Sequence, residues 1–118
     1  MISRKEAVDF CKRFENIYED YPFRDLNWTT MRHMGNKKVF AWIYEREDYI
    51  WINVKCDTNW RDFWRDTYKS VIPGYHLNKE HWNSIILDGT VNEEDIQRMI
   101  QESYDLTKPK NRKGKIKK

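Results

Sequence analysis

A period of two in the side chains of residues 28–56 most constrains the fold of this chain. In its last stretch Ile52 and Val54 share one face, while Asn53 and Lys55 share the other. β-branched and aromatic residues are enriched throughout, and short polar or charged segments interrupt the pattern. The alternation therefore predicts three consecutive antiparallel strands, at about residues 28–33, 39–44 and 49–56.

Three helices are predicted around these strands. The first begins with a capping box, in which Ser3 and Glu6 satisfy each other's main-chain amides. Apolar residues then recur every three or four positions, so the helix is predicted to run to about Tyr18, before Pro22. The second and third helices are predicted to follow the capping segments 57–59 and 92–95. Each has an apolar stripe, which in the second helix consists of Trp60, Phe63, Trp64 and Tyr68.

A second β-hairpin is predicted between the last two helices. Residues 71–77 and 81–87 would pair across residues 78–80, with Pro73 favouring an edge position for the first strand. The element order is then α-β-β-β-α-β-β-α. We predict an α+β fold, a two-layer α/β sandwich whose antiparallel sheet has helices packed on one face. The opposite face, which carries Asn53 and Lys55, is expected to be polar and exposed.

The charge distribution divides the chain in two. The formal net charge is +3, but residues 107–118 alone contain seven basic residues and no acid, so residues 1–106 carry a net charge of −4. The tail also has few apolar side chains, so we predict a folded domain at residues 1–106 and a disordered basic tail at residues 107–118. Such a tail attracts polyanions.

Other features favour a cytoplasmic, monomeric binding protein. The chain has no predicted signal peptide and no apolar stretch long enough to span a membrane. Cys11 and Cys56 have no metal-site spacing and are interpreted as reduced thiols. The four glycines are isolated, and no nucleophile motif is present, so we expect neither an enzyme nor a cofactor.

Several stretches together resemble the MmcQ/YjbR family. They are residues 52–57 (INVKCD), 73–83 (PGYHLNKEHWN), 87–89 (LDG) and 103–106 (SYDL). The resemblance covers residues 1–106, and the second stretch is the most specific. It implies a frataxin-like α/β sandwich, also described as a double wing, and a DNA-binding role.

The predicted hairpin around residues 75–82 is the main candidate for DNA binding. Lys79 could contact a phosphate, His76 could donate to phosphates or base edges, and Trp82 could stack on a base. Lys55 could extend the phosphate-binding surface, and so could the tail. The candidate nucleic-acid contacts are Asn53, Lys55, Tyr75, His76, Asn78, Lys79, His81, Trp82, Lys110, Arg112 and Lys113.

Alternative interpretations of these residues remain open. Tyr75 and Trp82 could be core rings, with the polar residues between them holding the turn. Lys37 and Lys38 are interpreted as a solvated hairpin. A metal site formed by His76, His81 and Cys56 lacks a fourth ligand at recognisable spacing. The alternative function is a protein- or small-ligand-binding adaptor, which would use Tyr49 and Trp51 on the exposed sheet face.

Overall fold

A computed structural model describes residues 1–110. The elements, in chain order, are α1 (Arg4–Cys11), β1 (Ile17–Asp20), β2 (Thr29–His33), β3 (Val39–Arg46), β4 (Tyr49–Lys55), α2 (Thr58–Thr67), β5 (Val71–Pro73), β6 (Trp82–Ile86) and α3 (Glu93–Thr107).

The six strands form one sheet in the order β1-β2-β3-β4-β6-β5, and every neighbouring pair is antiparallel. Packed against it, the three helices give the α+β fold predicted from the sequence. Pro73 lies in β5, at one edge of the sheet as expected, because proline cannot donate a ladder hydrogen bond.

The main core lies between the helices and one face of the sheet. Ile52 of β4 pairs with Ile43 of β3 and Ile85 of β6, and all three side chains are fully buried. α3 contributes Met99 and Ile100 to the same cluster. Because Ile52 alternates with Asn53, the sheet presents a second, chemically different face on its other side.

The helix starts agree with the predicted capping chemistry. Ser3 and Glu6 form both hydrogen bonds of the capping box. Asp57 accepts from the Asn59 amide at the start of α2, and Asn92 begins α3 in the same way. These local signals fix the helix starts because their donors and acceptors lie within three residues of one another.

The predicted extent of the first helix is wrong. α1 ends at Cys11, and Asn16 turns the chain with a left-handed φ of 57°. Ile17 and Tyr18, which continued the helical pattern in sequence, instead belong to β1 and pair with β2. The ladder to β2 supplies main-chain partners that the sequence pattern of α1 could not reveal.

A β-bulge lies between β2 and β3. Met31 pairs with Ala41, whereas the next residue, Arg32, pairs with Val39, so Phe40 is the extra residue. Phe40 is fully buried and packs against the rings of Phe14 and Tyr104. The bulge thus adds a large ring to the helix side of the sheet.

The predicted stripe of α2 is only partly buried. Trp64 is in the core, but Trp60 and Phe63 are 48% and 49% exposed. The expectation that all four aromatic residues face the sheet is therefore wrong for these two. α2 lies beside the short strands β5 and β6 near the edge of the sheet, where there is less surface to cover them.

The folded region extends one residue past the predicted boundary at Leu106. Thr107 is the last residue of α3 and is buried, and its Oγ1 lies 2.8 Å from Nε2 of His33. Residues 111–118 of the tail predicted at residues 107–118 lie outside the described residues. Within residues 1–110, no helix is long and apolar enough to cross a membrane.

Candidate binding cleft

The second face of the sheet is covered, contrary to expectation. Asn53 is fully buried, and Trp51 is only 3% exposed. Two connecting segments lie over this face, residues 21–28 between β1 and β2 and residues 74–81 between β5 and β6. An adaptor surface that includes Trp51 is therefore not available, and of the two aromatic residues proposed for it only Tyr49 is exposed.

Asn53 connects the sheet to the loop at residues 74–81. Its Oδ1 accepts from the hydroxyls of Tyr44, at 2.7 Å, and Ser84. Its Nδ2 donates to the main-chain carbonyl of Tyr75 at 2.9 Å. With its amide satisfied and buried, Asn53 cannot contact a phosphate, so its predicted role in nucleic-acid binding is wrong.

The start of the loop is held against β6 at close range. The amide of Gly74 donates to the carbonyl of Trp82 at 2.9 Å, and the amide of Tyr75 donates to Ser84 Oγ at 2.8 Å. A Cβ atom on Gly74 would lie 2.8 Å from Cβ of Trp82. Only glycine allows this approach without displacing the loop.

Aromatic rings form a second cluster under the two loops. The ring of Trp28 stacks on Tyr44, with centroids 4.1 Å apart, and the ring of Tyr75 is also stacked with Tyr44, with centroids 5.9 Å apart. The Arg46 guanidinium lies 4.2 Å from the ring centroid of Tyr75 and 4.7 Å from that of Trp51. These contacts order the loop through stacking and cation–π attraction.

An aromatic cleft of about 300 Å³ lies between the two loops. Trp42 comes from β3, and the other lining residues come from the loops, so sheet and loops both shape it. Phe23 at the mouth is 50% exposed. The residues lining this aromatic cleft are Phe23, Trp28, Trp42, Tyr75, His76 and Leu77. Its mainly apolar, ring-rich lining suits a flat aromatic group.

Two indole N–H groups near the aromatic cleft lack partners. Nε1 of Trp42 and Nε1 of Trp51 are buried, and neither donates to an acceptor in the described part of the chain. A buried donor without a partner costs free energy, and native structures tolerate few of them. The buried hydrogen-bond donors of the aromatic cluster are therefore less completely paired than those of the main core.

The segment predicted as a β-hairpin at residues 71–87 consists of two shorter strands joined by the loop at residues 74–81. β5 ends at Pro73 and β6 begins at Trp82. The prediction that residues 74–77 and His81 belong to strands is therefore wrong. Asn78 Oδ1 accepts from the Glu80 amide, which is the turn-holding role considered above. Lys79 Nζ donates to the carbonyl of Gly74 at 3.0 Å, while its side chain stays exposed.

The remaining predicted contacts lie in the loop, on the two paired strands beside it and in the C-terminal segment. Tyr75 and His76 line the aromatic cleft, and Lys79 and His81 are exposed in the same loop. Lys55 and Trp82 are half-buried neighbours on paired strands. Lys110 is exposed, and so are Lys37 and Lys38, which were interpreted as part of a solvated hairpin. Arg112 and Lys113 lie outside the described residues.

Two of the considered metal ligands are neighbours, since the Cys56 amide donates to the main-chain carbonyl of His81 at 2.8 Å and Cys56 Sγ lies 3.7 Å from the same oxygen. Cys56 is buried, whereas His76 and His81 are exposed. Burial raises the pKa of the Cys56 thiol to about 11, which keeps it protonated at neutral pH. Within residues 1–110, no three His, Cys, Asp or Glu side chains are grouped closely enough to hold a metal ion.

Sequence reasoning missed four lining residues, Phe23, Trp28, Trp42 and Leu77. One signal was available on β3, where Trp42 and Tyr44 alternate with Ala41 and Ile43. Large rings at every second position indicate that the second face of the sheet is also covered. The contribution of Phe23, from an irregular loop, had no periodic signal.

Comparison with known proteins gives a consistent set of relatives. A family model described as YjbR matches residues 12–106. The protein YyaQ of Bacillus subtilis is 31% identical over 92% of this chain and its own full length. The protein YbdF of Escherichia coli O157:H7 is 32% identical over 74% of this chain and 75% of its own length.

Solved structures share the fold. The Deinococcus radiodurans protein DR2400, described as a DUF419 domain, has a TM-score of 0.81 and 28% identity, covering 90% of this chain and 78% of that one. A crystal structure of a Pseudomonas syringae protein has a TM-score of 0.79 and 24% identity, covering 89% of this chain and 98% of that one. At that identity, the second match supports the fold alone.

Proposed function

This chain belongs to the YjbR family, and we propose that it is a non-catalytic module that binds single-stranded DNA or RNA. One unpaired base enters the aromatic cleft, and phosphates contact basic side chains beside it. The observation that carries this proposal is the aromatic cleft itself, with its ring-rich lining between two ordered loops.

Stacking is the main attraction in this proposal. Every base has a π-face, so aromatic rings bind bases with little sequence preference, at about 1–3 kcal/mol per stacked base. The rings of Phe23 and Trp28 pack edge to face, 6.2 Å apart, and Trp42 lies 6.1 Å from Trp28. A duplex would not present a free base face, which favours single strands.

Basic groups near the loop support phosphate contacts. The Lys79 ammonium has three donors, and the carbonyl of Gly74 uses one of them. Lys55 is in β4, which is separated from the edge strand β5 by β6, and it is on the same face of the sheet as Asn53, under the loop at residues 74–81. The exposed Lys110 and the basic residues after it add charge. Because residues 1–106 have a net charge of −4, phosphate attraction alone would be weak without stacking or the tail.

The test compares oligonucleotides that differ only in their bases. Fluorescence anisotropy would measure binding of the full-length protein to labelled oligothymidylate and to an abasic strand of the same length and charge. We expect roughly tenfold tighter binding of the base-containing strand, because one stacked base contributes about 1.4 kcal/mol or more. Equal binding of the two strands would overturn the proposal.

Two phenylalanines provide matched variants. Phe23→Ala should remove most of the preference for bases, whereas Phe63→Ala, an equally exposed ring on α2, should leave it unchanged. Replacing Lys110, Arg112 and Lys113 with glutamine should reduce the salt dependence of binding to both strands. The ratio between the two affinities should survive that change, because it depends on the aromatic cleft.

A small planar molecule is the second candidate ligand. The small volume of the aromatic cleft, about 300 Å³, and the acidic charge of residues 1–106 favour a small molecule over a polyanion. Free nucleosides would then displace a bound fluorescent aromatic probe at the same base concentration as oligonucleotides do. Stronger competition by the oligonucleotide, at equal base concentration, favours the nucleic-acid proposal.

A further inference from the structure

His76 has an unusual main-chain conformation for its residue type. Its φ is 63°, in the left-handed region that favours glycine. Histidine adopts this region more readily than most residues, but at some cost in free energy. A residue in this conformation persists when its surroundings impose it, so the contacts around it are informative.

The residues on either side of His76 are fixed by separate contacts. Tyr75 is bonded through its amide to Ser84 and through its carbonyl to Asn53. On the other side, Lys79 Nζ bonds back to Gly74, and the Arg65 guanidinium donates to the carbonyl of Lys79. The sheet and α2 therefore hold the loop in the shape that gives His76 its left-handed φ.

This conformation directs the imidazole into the aromatic cleft. Its ring centroid lies 4.1 Å from that of Tyr75 and 6.4 Å from that of Trp28. The residue is exposed and lines the aromatic cleft at its open side. A neutral imidazole has one donor and one acceptor nitrogen, and the edges of nucleobases present donors and acceptors in the same way.

We propose that His76 is the specificity-determining residue of the aromatic cleft, where its imidazole hydrogen bonds with the polar edge of the stacked base. The inference rests on the proposed function and adds to it, since stacking alone would accept any flat ring. It also gives a physical reason for a histidine at a position where glycine would relieve the main-chain cost.

Substitutions at two histidines test this role. His76→Gly removes the imidazole and relieves the left-handed conformation, and His76→Asn keeps a donor and an acceptor in a residue that tolerates this φ. His81→Asn is the matched control, because His81 is exposed in the same loop but does not line the aromatic cleft. Each full-length variant would be titrated with the oligothymidylate and abasic strands, and with homopolymers of the other three bases.

We expect His76→Gly to bind the abasic strand as the wild type does and to bind oligothymidylate about fivefold more weakly. That factor corresponds to one hydrogen bond of the usual net strength. Differences among the four homopolymers should also shrink. The affinity of His76→Asn for oligothymidylate should lie between those of His76→Gly and the wild type, whereas His81→Asn should keep the wild-type ratio between the affinities for oligothymidylate and the abasic strand. Thermal unfolding should show His76→Gly at least as stable as the wild type.

Two contrary results have different meanings. If wild type prefers bases over the abasic strand and His76→Gly keeps that full preference, the role of His76 is wrong and the proposed function stands. If wild type shows no preference for bases, the proposed function fails and this inference fails with it. Should His76→Gly not fold, the comparison of His76→Asn with His81→Asn decides, since an equal ratio between the affinities for oligothymidylate and the abasic strand in the two variants would overturn the role.

Discussion

The side-chain amide of Asn53 donates to the main-chain carbonyl of Tyr75 at 2.9 Å, so a residue in the middle of the sheet holds the loop that forms one wall of the aromatic cleft. The hydroxyls of Tyr44 and Ser84 donate to Oδ1 of the same side chain. The position of the loop therefore depends on a buried polar network as well as on ring packing.

Replacement of Asn53 by alanine should destabilise the protein by about 3 kcal/mol. The change leaves two hydroxyls and a carbonyl without their partner, and each buried unsatisfied group costs about 1–3 kcal/mol before relaxation. Urea unfolding would measure the loss. Asn59→Ala, at an exposed position in α2, should change the free energy of unfolding by less than about 0.5 kcal/mol. Similar values for the two variants would contradict the network.

Gly74→Ala should displace the loop. Its new Cβ would meet Cβ and the carbonyl of Trp82 at 2.8 and 2.9 Å, and the carbonyl belongs to a paired strand that cannot easily move. We expect lower stability and faster hydrogen exchange at the amides of Gly74 and Tyr75. At Gly35, alanine would clash only with the ring of Pro109, so Gly35→Ala should cost less. A larger loss at Gly35 would argue against the close approach at Gly74.

Arg65 is expected to be sensitive even to lysine. Its Nε donates to Asn83 Oδ1 at 2.7 Å, while Nη2 donates to the carbonyls of Lys79 and Trp82. A lysine ammonium cannot reproduce this planar set of donors. Arg65→Lys should lower the free energy of unfolding by about 1–3 kcal/mol, measured by chemical denaturation. Arg98→Lys, at an exposed position in α3, is the control, and an equal effect there would refute the prediction.

Acidification should destabilise the protein through His33. Burial lowers the pKa of its imidazole from the usual 6.5, the carbonyl of Tyr104 opposes this shift, and the positive charge of Lys108 adds to it. The unfolded chain therefore binds the proton more readily than the folded protein does. The stabilisation by neutral His33 is fully present above pH 6.5 and is lost as the pH falls through and below that value.

The measurement is the free energy of unfolding between pH 7.5 and 5.5. Substituting glutamine for His33 should lower stability at pH 7.5, because the contact with Thr107 Oγ1 is altered, and should flatten the pH dependence. A slope that persists in His33→Gln would show that another group titrates.

The sequence predicted those parts of the fold that depend on neighbouring residues. The caps at Ser3 and Asp57 were correct because both partners lie within a few positions. Alternation correctly placed Asn53 and Lys55 on one face of the sheet. The predicted exposure of that face was wrong, because Asn53 is covered by a loop more than twenty residues away in the chain.

Ambiguous local patterns account for the remaining errors. Ile17 fits both the helical pattern of α1 and a strand, and only pairing with His33 decides between them. Trp60 has helical spacing with Trp64, but its burial depends on how far the sheet extends beneath α2. For the aromatic cleft, the sequence provided Tyr75 and His76, while the contributions from residues 21–28 required the tertiary fold.

The sheet ends in two very short strands, β1 with four residues and β5 with three, the last of which is Pro73. Open main-chain groups along such an edge are few, which disfavours the addition of a strand from another molecule, and the charged side chains of Glu19 and Asp20 in β1, paired with Lys12 and Arg32, make that edge polar. The architecture thus limits edge-to-edge pairing at both ends of a sheet that is rich in aromatic and β-branched residues.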